Sequence, residues 1–128
     1  MILTIKTDQP TAELGLHAKE LEDILTWQGH YQLSSTILTR LQELLSRQQL
    51  DYQGLTGIVV FQGPGSFTGL RIGATVANTL AYSLSIPVIG SQGDDWRETG
   101  ISRISTGEDD QIVKPAYGGE ANITKPRK

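Results

Sequence analysis

Residues 61–73 read FQGPGSFTGLRIG, four glycines and a proline between two structured segments. Ahead of them Ile58-Val59-Val60-Phe61 is a continuous apolar run, the pattern of a strand buried on both faces. Behind them Ala74 to Leu84 reads as a helix. A glycine-rich turn from strand to helix has two physical readings. Backbone N–H groups at the helix N-terminus bind phosphate, with glycine letting the ligand approach. Alternatively Gly63-Pro64-Gly65 makes a tight turn, Ser66 or Thr68 caps the helix, and the later glycines allow neighbouring backbone to come close.

The phosphate motifs fail in detail. A P-loop needs a Gly-Lys pair, and the chain has none. The dinucleotide fingerprint needs G-x-G-x-x-G, whereas Gly63, Gly65 and Gly69 are spaced G-x-G-x-x-x-G. A nucleophile elbow around Ser66 would require glycine where Thr68 stands. The glycine-rich turn, Gly63, Pro64, Gly65, Ser66, Phe67 and Thr68, is kept as a candidate site with both readings open.

The rest of the chain supplies the frame. Ile2 to Thr7 is a short strand ended by Asp8-Gln9-Pro10. Thr11 to His17 alternates, with Ala12, Leu14 and Leu16 on one face, and Leu21 to Trp27 continues as a third strand. From Ser34 the period changes: Ile37, Leu38, Leu41, Leu44 and Leu45 share one helical face, with Ser34 or Ser35 as N-cap. After Gly57–Phe61 and the helix to about Ser85, Pro87–Gly90 is a last short strand. The order β-β-β-α-β-α-β predicts an α/β fold with a mixed sheet: an antiparallel meander extended by parallel strands through right-handed crossovers. That is the ribonuclease H-like, or actin-like (ASKHA), half-domain over residues 1–91. Residues 92–128 are polar and rich in Gly, Ser and Asp, and predict a mostly irregular tail laid across the domain. Residues 92–110 in particular lack the apolar surface to offset ordering, and so read as mobile.

The second helix carries more apolar surface than one neighbour can cover. From Gly69 onward its apolar residues spread over roughly 200°, against the ~100° stripe that faces a single core. The arc divides into a bulky stripe, Ile72, Val76, Leu80 and Leu84, suited to a sheet, and a small stripe, Gly69, Gly73, Ala77 and Ala81. The small stripe, with Leu70 beside it and Leu41 from the first helix, is expected to be a partner interface where another helix approaches closely.

At 128 residues, with 14 acidic and 11 basic side chains, the chain has about the length of one domain and no overall basic character to draw nucleic acid or membrane. It has no cysteine, which removes disulfides and thiolate chemistry. His17 and His30 lack the spacing that sets two imidazoles on one helical face, so no metal site is expected. Asp94-Asp95 and the basic ending read as solvated. The composition and the strand-like N-terminus predict a cytoplasmic protein.

GPGSFTGLRIG, together with the opening ILTI and the later IPVIG, resembles the TsaB family over residues 1–91, and KPAY resembles the Pro-x-Tyr near the end of longer members. The resemblance implies an actin-like, noncatalytic paralogue of TsaD, paired with that enzyme through a bundle of helices. The resemblance further implies support of threonylcarbamoyl modification of the tRNA adenosine next to the anticodon. A TsaE-like ATPase would join through the complex, tRNA would be met only indirectly, and a homodimer could form in isolation. Two departures stand out. Lys6 occupies the place where relatives commonly carry an Asp, so no nucleotide or other cofactor is expected, and most of the second lobe is missing. The retained KPAYGGEANIT ending favours a natural short form. The rival reading is a nucleotide-binding enzyme, or a peptidase-like protein, using the glycine turn.

Overall fold

In the computed structural model, which describes residues 1–29 and 32–117, the apolar runs assemble into one five-stranded sheet. Its strands are β1 (Ile2–Lys6), β2 (Thr11–Ala18), β3 (Leu21–Gln28), β4 (Gly57–Phe61) and β5 (Val88–Ser91), ordered β3-β2-β1-β4-β5. β1, β2 and β3 form the antiparallel meander, while β4 and β5 add in parallel, with Ile5 opposite both Leu14 and Val60. The predicted α/β half-domain is the observed one. His30, read above as no metal ligand, and the ANIT and Lys125–Lys128 portions of the tail lie outside the described residues.

Alternation along the strands divides the interior. Leu3, Ile5, Leu14, Leu16, Ile58 and Val60 point to the face covered by α1 (Leu33–Arg47) and α2 (Phe67–Leu84). α1 places Leu33, Ile37, Leu41, Leu44 and Leu45 against that face, a 3.6-residue pattern meeting a 2-residue one. Each such side chain, fully buried, stabilises by about 1.5–3 kcal/mol. Asp23 of β3 holds the far end of α1 by accepting from Arg47 Nη1 at 2.9 Å and Gln48 Nε2 at 3.0 Å. The start of α1 differs from the expectation. The helix opens at Leu33, Gln32 stands at its N-cap without a side-chain bond, and Ser35 Oγ instead donates to the Gln32 carbonyl at 3.0 Å.

The opposite face corrects the reading of residues 92–110 as irregular. Trp96–Ser105 form a third helix, α3, whose Trp96 is 3% exposed and packs with Val59 and Phe61. Gly100 rests directly on the Val59 side chain, and Ile104 fills the space above Gly57. Composition misled because few apolar residues suffice when all fall on one side: Trp96, Gly100, Ile101 and Ile104 share a single helical face.

Beyond α3 the chain crosses the α2 face. Asn78 of α2 grips Val113 twice: its Nδ2 donates to the Val113 carbonyl at 3.0 Å, and its Oδ1 accepts from the Val113 N–H at 2.9 Å. Ala116 N donates to the Gln62 carbonyl at 2.8 Å, and Tyr117 stacks on Phe67 with ring centroids 4.3 Å apart. The KPAY portion of the tail is therefore docked, as a strap over the glycine turn.

Candidate functional site

Each glycine of the 61–73 stretch faces protein. A Cβ on Gly63 would strike the carbonyl oxygen of Ala116 in the strap, and one on Gly65 would strike Asp8. A Cβ on Gly69 would meet the Thr7 carbonyl oxygen, and one on Gly73 the Thr7 hydroxyl. Thr7 Oγ1 also donates to the Gly69 carbonyl at 2.7 Å, fully buried. Ser66 caps α2 as expected, its Oγ accepting from Gly69 N at 3.3 Å, and its own N–H donates to the Asp8 carbonyl at 3.0 Å. The close-packing reading of these glycines is the one the geometry bears out: the absent side chains make room for the chain's own backbone.

That result overturns the proposed interface. Gly69, Gly73, Ala77 and Ala81 are buried, Ala77 completely, and they seat α2 on the end of β1 and the sheet core. Leu70 and Leu41 are each 1% exposed and also belong to the interior. The two stripes of α2 exchange roles. The small one meets the sheet because only small residues let the helix axis settle against Thr7. The bulky one, Ile72, Val76, Leu80 and Leu84, packs against the rim of the same core and stays half-buried.

The surface this creates is a groove at the N-terminal ends of α1 and α2. One depression of about 440 Å³ is lined by Thr7, Pro10, Leu33, Ser34, Thr68 and Ile72, among others. A second, of about 380 Å³ and sharing Ser34, Thr68 and Ile72 with it, adds Arg71, Thr75 and Val76. Leu38, four residues after Ser34 and so on the same side of α1, is 49% exposed. Sequence reasoning did not single out this groove, although the excess apolar arc of α2 was the signal for it.

A different pocket, of about 560 Å³, opens at the carboxyl end of the sheet between the β1–β2 turn, Gly63-Pro64 and the start of α3. Parallel strands take ligands at their carboxyl ends, so the chemistry of this pocket tests the nucleotide-binding reading. Lys6 Nζ bonds Asp8 Oδ1 at 2.7 Å and lies 4.6 Å from the Phe61 ring centre. Arg97 Nε donates to Glu13 Oε2 at 3.1 Å and its guanidinium lies over Trp96. Two cations thus face three carboxylates, Asp8, Glu13 and Asp94, and both cations are already engaged. Such a lining does not fit a polyphosphate, whose charge needs uncommitted donors.

His17, on β2, is buried and joined to Thr4 Oγ1 at 3.0 Å, with Glu22 3.6 Å away. Burial pushes its imidazole below the ordinary histidine value; Glu22 opposes this and Arg97 adds to it. No group of three or more His, Cys, Asp or Glu side chains suited to a metal occurs among the described residues. Nor is any described helix long and apolar enough to cross a membrane.

The topology and the packed glycine turn define an actin-like half-domain. Its likeness to solved structures agrees: YeaZ from Pseudomonas aeruginosa superposes with a TM-score of 0.69 at 23% identity, covering 77% of this chain and 49% of that one. The family model described as TsaD, tRNA N6-adenosine threonylcarbamoyltransferase, matches residues 29–92. The tRNA threonylcarbamoyladenosine biosynthesis protein TsaB of Bacillus subtilis is 52% identical over 91 residues, 68% of this chain and 38% of that protein. Its namesake in Escherichia coli is 32% identical over 91 residues, 62% of this chain and 39% of that protein. On these matches the chain belongs to the TsaB family. It spans about two fifths of the length of the curated relatives it matches.

Proposed function

We propose that this chain is a noncatalytic docking subunit in the threonylcarbamoyl modification of tRNA, at the adenosine next to the anticodon. It supports a TsaD-like catalytic paralogue by packing α1 and α2 against it. The observation that carries this reading is the unfinished apolar side of α2. Ile72 and Val76 are half-buried beside the exposed Thr68 and Thr75, and Leu38, one turn after the groove-lining Ser34, is exposed on α1. Surfaces of this kind, apolar at the centre with a hydroxyl-bearing rim, suit protein partners. The names of the relatives supply the pathway; a TsaE-like ATPase and the tRNA itself would be reached only through the complex.

The test is co-purification of the tagged chain with the TsaD-family protein of the same cell, beside measurement of the modified nucleoside in its tRNA. Val76→Asp should keep the monomer folded while losing the partner, because the charge enters the docking face. A variant that retains the partner at full strength would refute the docking face. Calorimetric titration with magnesium-ATP separates the rival: binding weaker than ~1 mM is expected, since helix-terminal anion sites need free donors, and a low-micromolar isotherm would favour a nucleotide enzyme.

A further inference from the structure

Resting on that docking reading, we propose that Arg71 determines which partner the α1/α2 face accepts, by requiring a carboxylate from it. α2 holds a single charged residue in its 18 positions, and that residue is Arg71. It is exposed and lines the groove beside Ser34, Thr68, Thr75 and Val76, none of them charged.

The other described arginines all have carboxylates of their own. Arg40 bonds Glu43 at 3.1 Å, Arg47 bonds Asp23 at 2.9 Å, Arg97 bonds Glu13, and Arg103 bonds Glu108 at 2.7 Å. Among the described residues no carboxylate lies within salt-bridge reach of Arg71, and none lines its groove. While the face is open, water solvates the guanidinium. Once a partner covers Ile72 and Val76, that water is displaced, and an uncompensated charge opposes docking unless the partner supplies an anion. The planar fork of five N–H donors matches a carboxylate in two parallel bonds, which fixes register as well as sign.

The same argument ranks the occupants. A second copy docked through this face about a two-fold axis brings α2 toward α2, a helix with one cation and no anion. It offers Arg71 no carboxylate from that helix. The occupant favoured is therefore a different chain, a helix of the catalytic paralogue with Asp or Glu opposite Arg71, and the homodimer is the weaker alternative.

The experiment is titration of the cognate TsaD-family protein with the wild-type full chain, Arg71→Ala, Arg71→Lys and Arg71→Glu, at low and high ionic strength. Melting temperatures are measured alongside. Arg71→Ala should weaken binding by roughly 30-fold or more, flatten its dependence on salt, and leave the melting temperature of the chain unchanged. Arg71→Lys should fall between, because it keeps the charge and loses the fork, and Arg71→Glu should bind worst. A wild-type complex indifferent to Arg71→Ala at both ionic strengths would overturn this proposal while leaving the docking reading in place. Failure of the wild type to bind would remove the docking reading and this proposal together.

Discussion

Arg103 Nη2 lies 2.7 Å from Asp110 Oδ1, and through that bond α3 helps close the β5 edge of the sheet. Asp110 Oδ2 accepts from Gly90 N at 2.9 Å, Asp110 N donates to the Val88 carbonyl at 2.9 Å, and Asp109 Oδ1 accepts from Val88 N at 3.1 Å. Arg103 Nη1 donates to the Gly90 carbonyl at 3.3 Å. The outward N–H and C=O groups of both Val88 and Gly90 are thus taken, which removes the template an open edge strand offers to other chains. Asp110→Ala is expected to cost about 1–2 kcal/mol and to speed hydrogen exchange at Gly90 by tenfold or more, on the order of the lost bond. Unchanged exchange at Gly90 would show that the edge is held by something else.

Ala77 and Thr75 stand two positions apart on α2 with opposite surroundings, Ala77 fully buried and Thr75 exposed. Ala77→Arg should destabilise the monomer by about 4 kcal/mol or more, because the charge is buried without a partner. Thr75→Arg should leave stability within about 0.5 kcal/mol and act only on docking. Chemical denaturation of both variants beside partner binding decides the matter. A stable Ala77→Arg monomer would contradict the placement of the small stripe against the sheet.

The pH dependence follows from His17. Its folded-state pKa is lowered by burial, so the unfolded chain binds more protons as pH falls through the ordinary histidine range near 6.5. Its contribution to stability is therefore full above that value and is lost progressively as pH drops below it, down to the folded pKa. Urea denaturation at a series of pH values should show this loss in the wild type. In His17→Gln, which can keep a hydrogen bond to Thr4, the histidine component of the slope should vanish; an identical slope would assign it to other groups.

Gly69→Ala sets two effects against each other. Alanine gains about 1 kcal/mol of helix propensity over glycine. Its Cβ, however, meets the Thr7 carbonyl oxygen, which belongs to backbone and cannot swing aside. Overpacking of about 1–3 kcal/mol should prevail, giving a net loss measured as a lower denaturation midpoint. A midpoint at or above wild type would mean that α2 can lift from β1 at little cost.

Asn78→Ala removes both bonds to Val113 and should free the strap over residues 111–117 without unfolding the sheet. Buried polar groups left unpaired cost about 1–3 kcal/mol. Limited proteolysis should then cut within the strap first, whereas the wild type should resist there. Equal resistance in the two would shift the anchoring to Gln62 and the Phe67–Tyr117 stack.

Much of the frame was legible before the structure. The alternation of Ala12, Leu14 and Leu16 named the inward face of β2, and the order of strands and helices specified the sheet. Ser66 was recognisable as a cap because a hydroxyl just ahead of a helix has one common use. α3 was missed for a physical reason. Trp96, Ile101 and Ile104 are too few to register as composition, and their value depends on Gly100 letting the helix settle against Val59.

What the sequence by itself determined about this protein was periodicity: which residues share a face, where the turns fall, and that α2 has more apolar arc than one neighbour can cover. The tertiary structure alone decided which half of that arc turns inward. Periodicity carries angles but no distances, and bulk by itself suggested that Ile72 and Val76 should meet the sheet. The deciding quantity was how near α2 could come to β1. With Gly69 and Gly73 against Thr7 the helix reaches hydrogen-bonding distance of the strand end, Thr7 Oγ1 to Gly69 O being 2.7 Å. That contact left Ile72 and Val76, with Arg71 beside them, at the open groove.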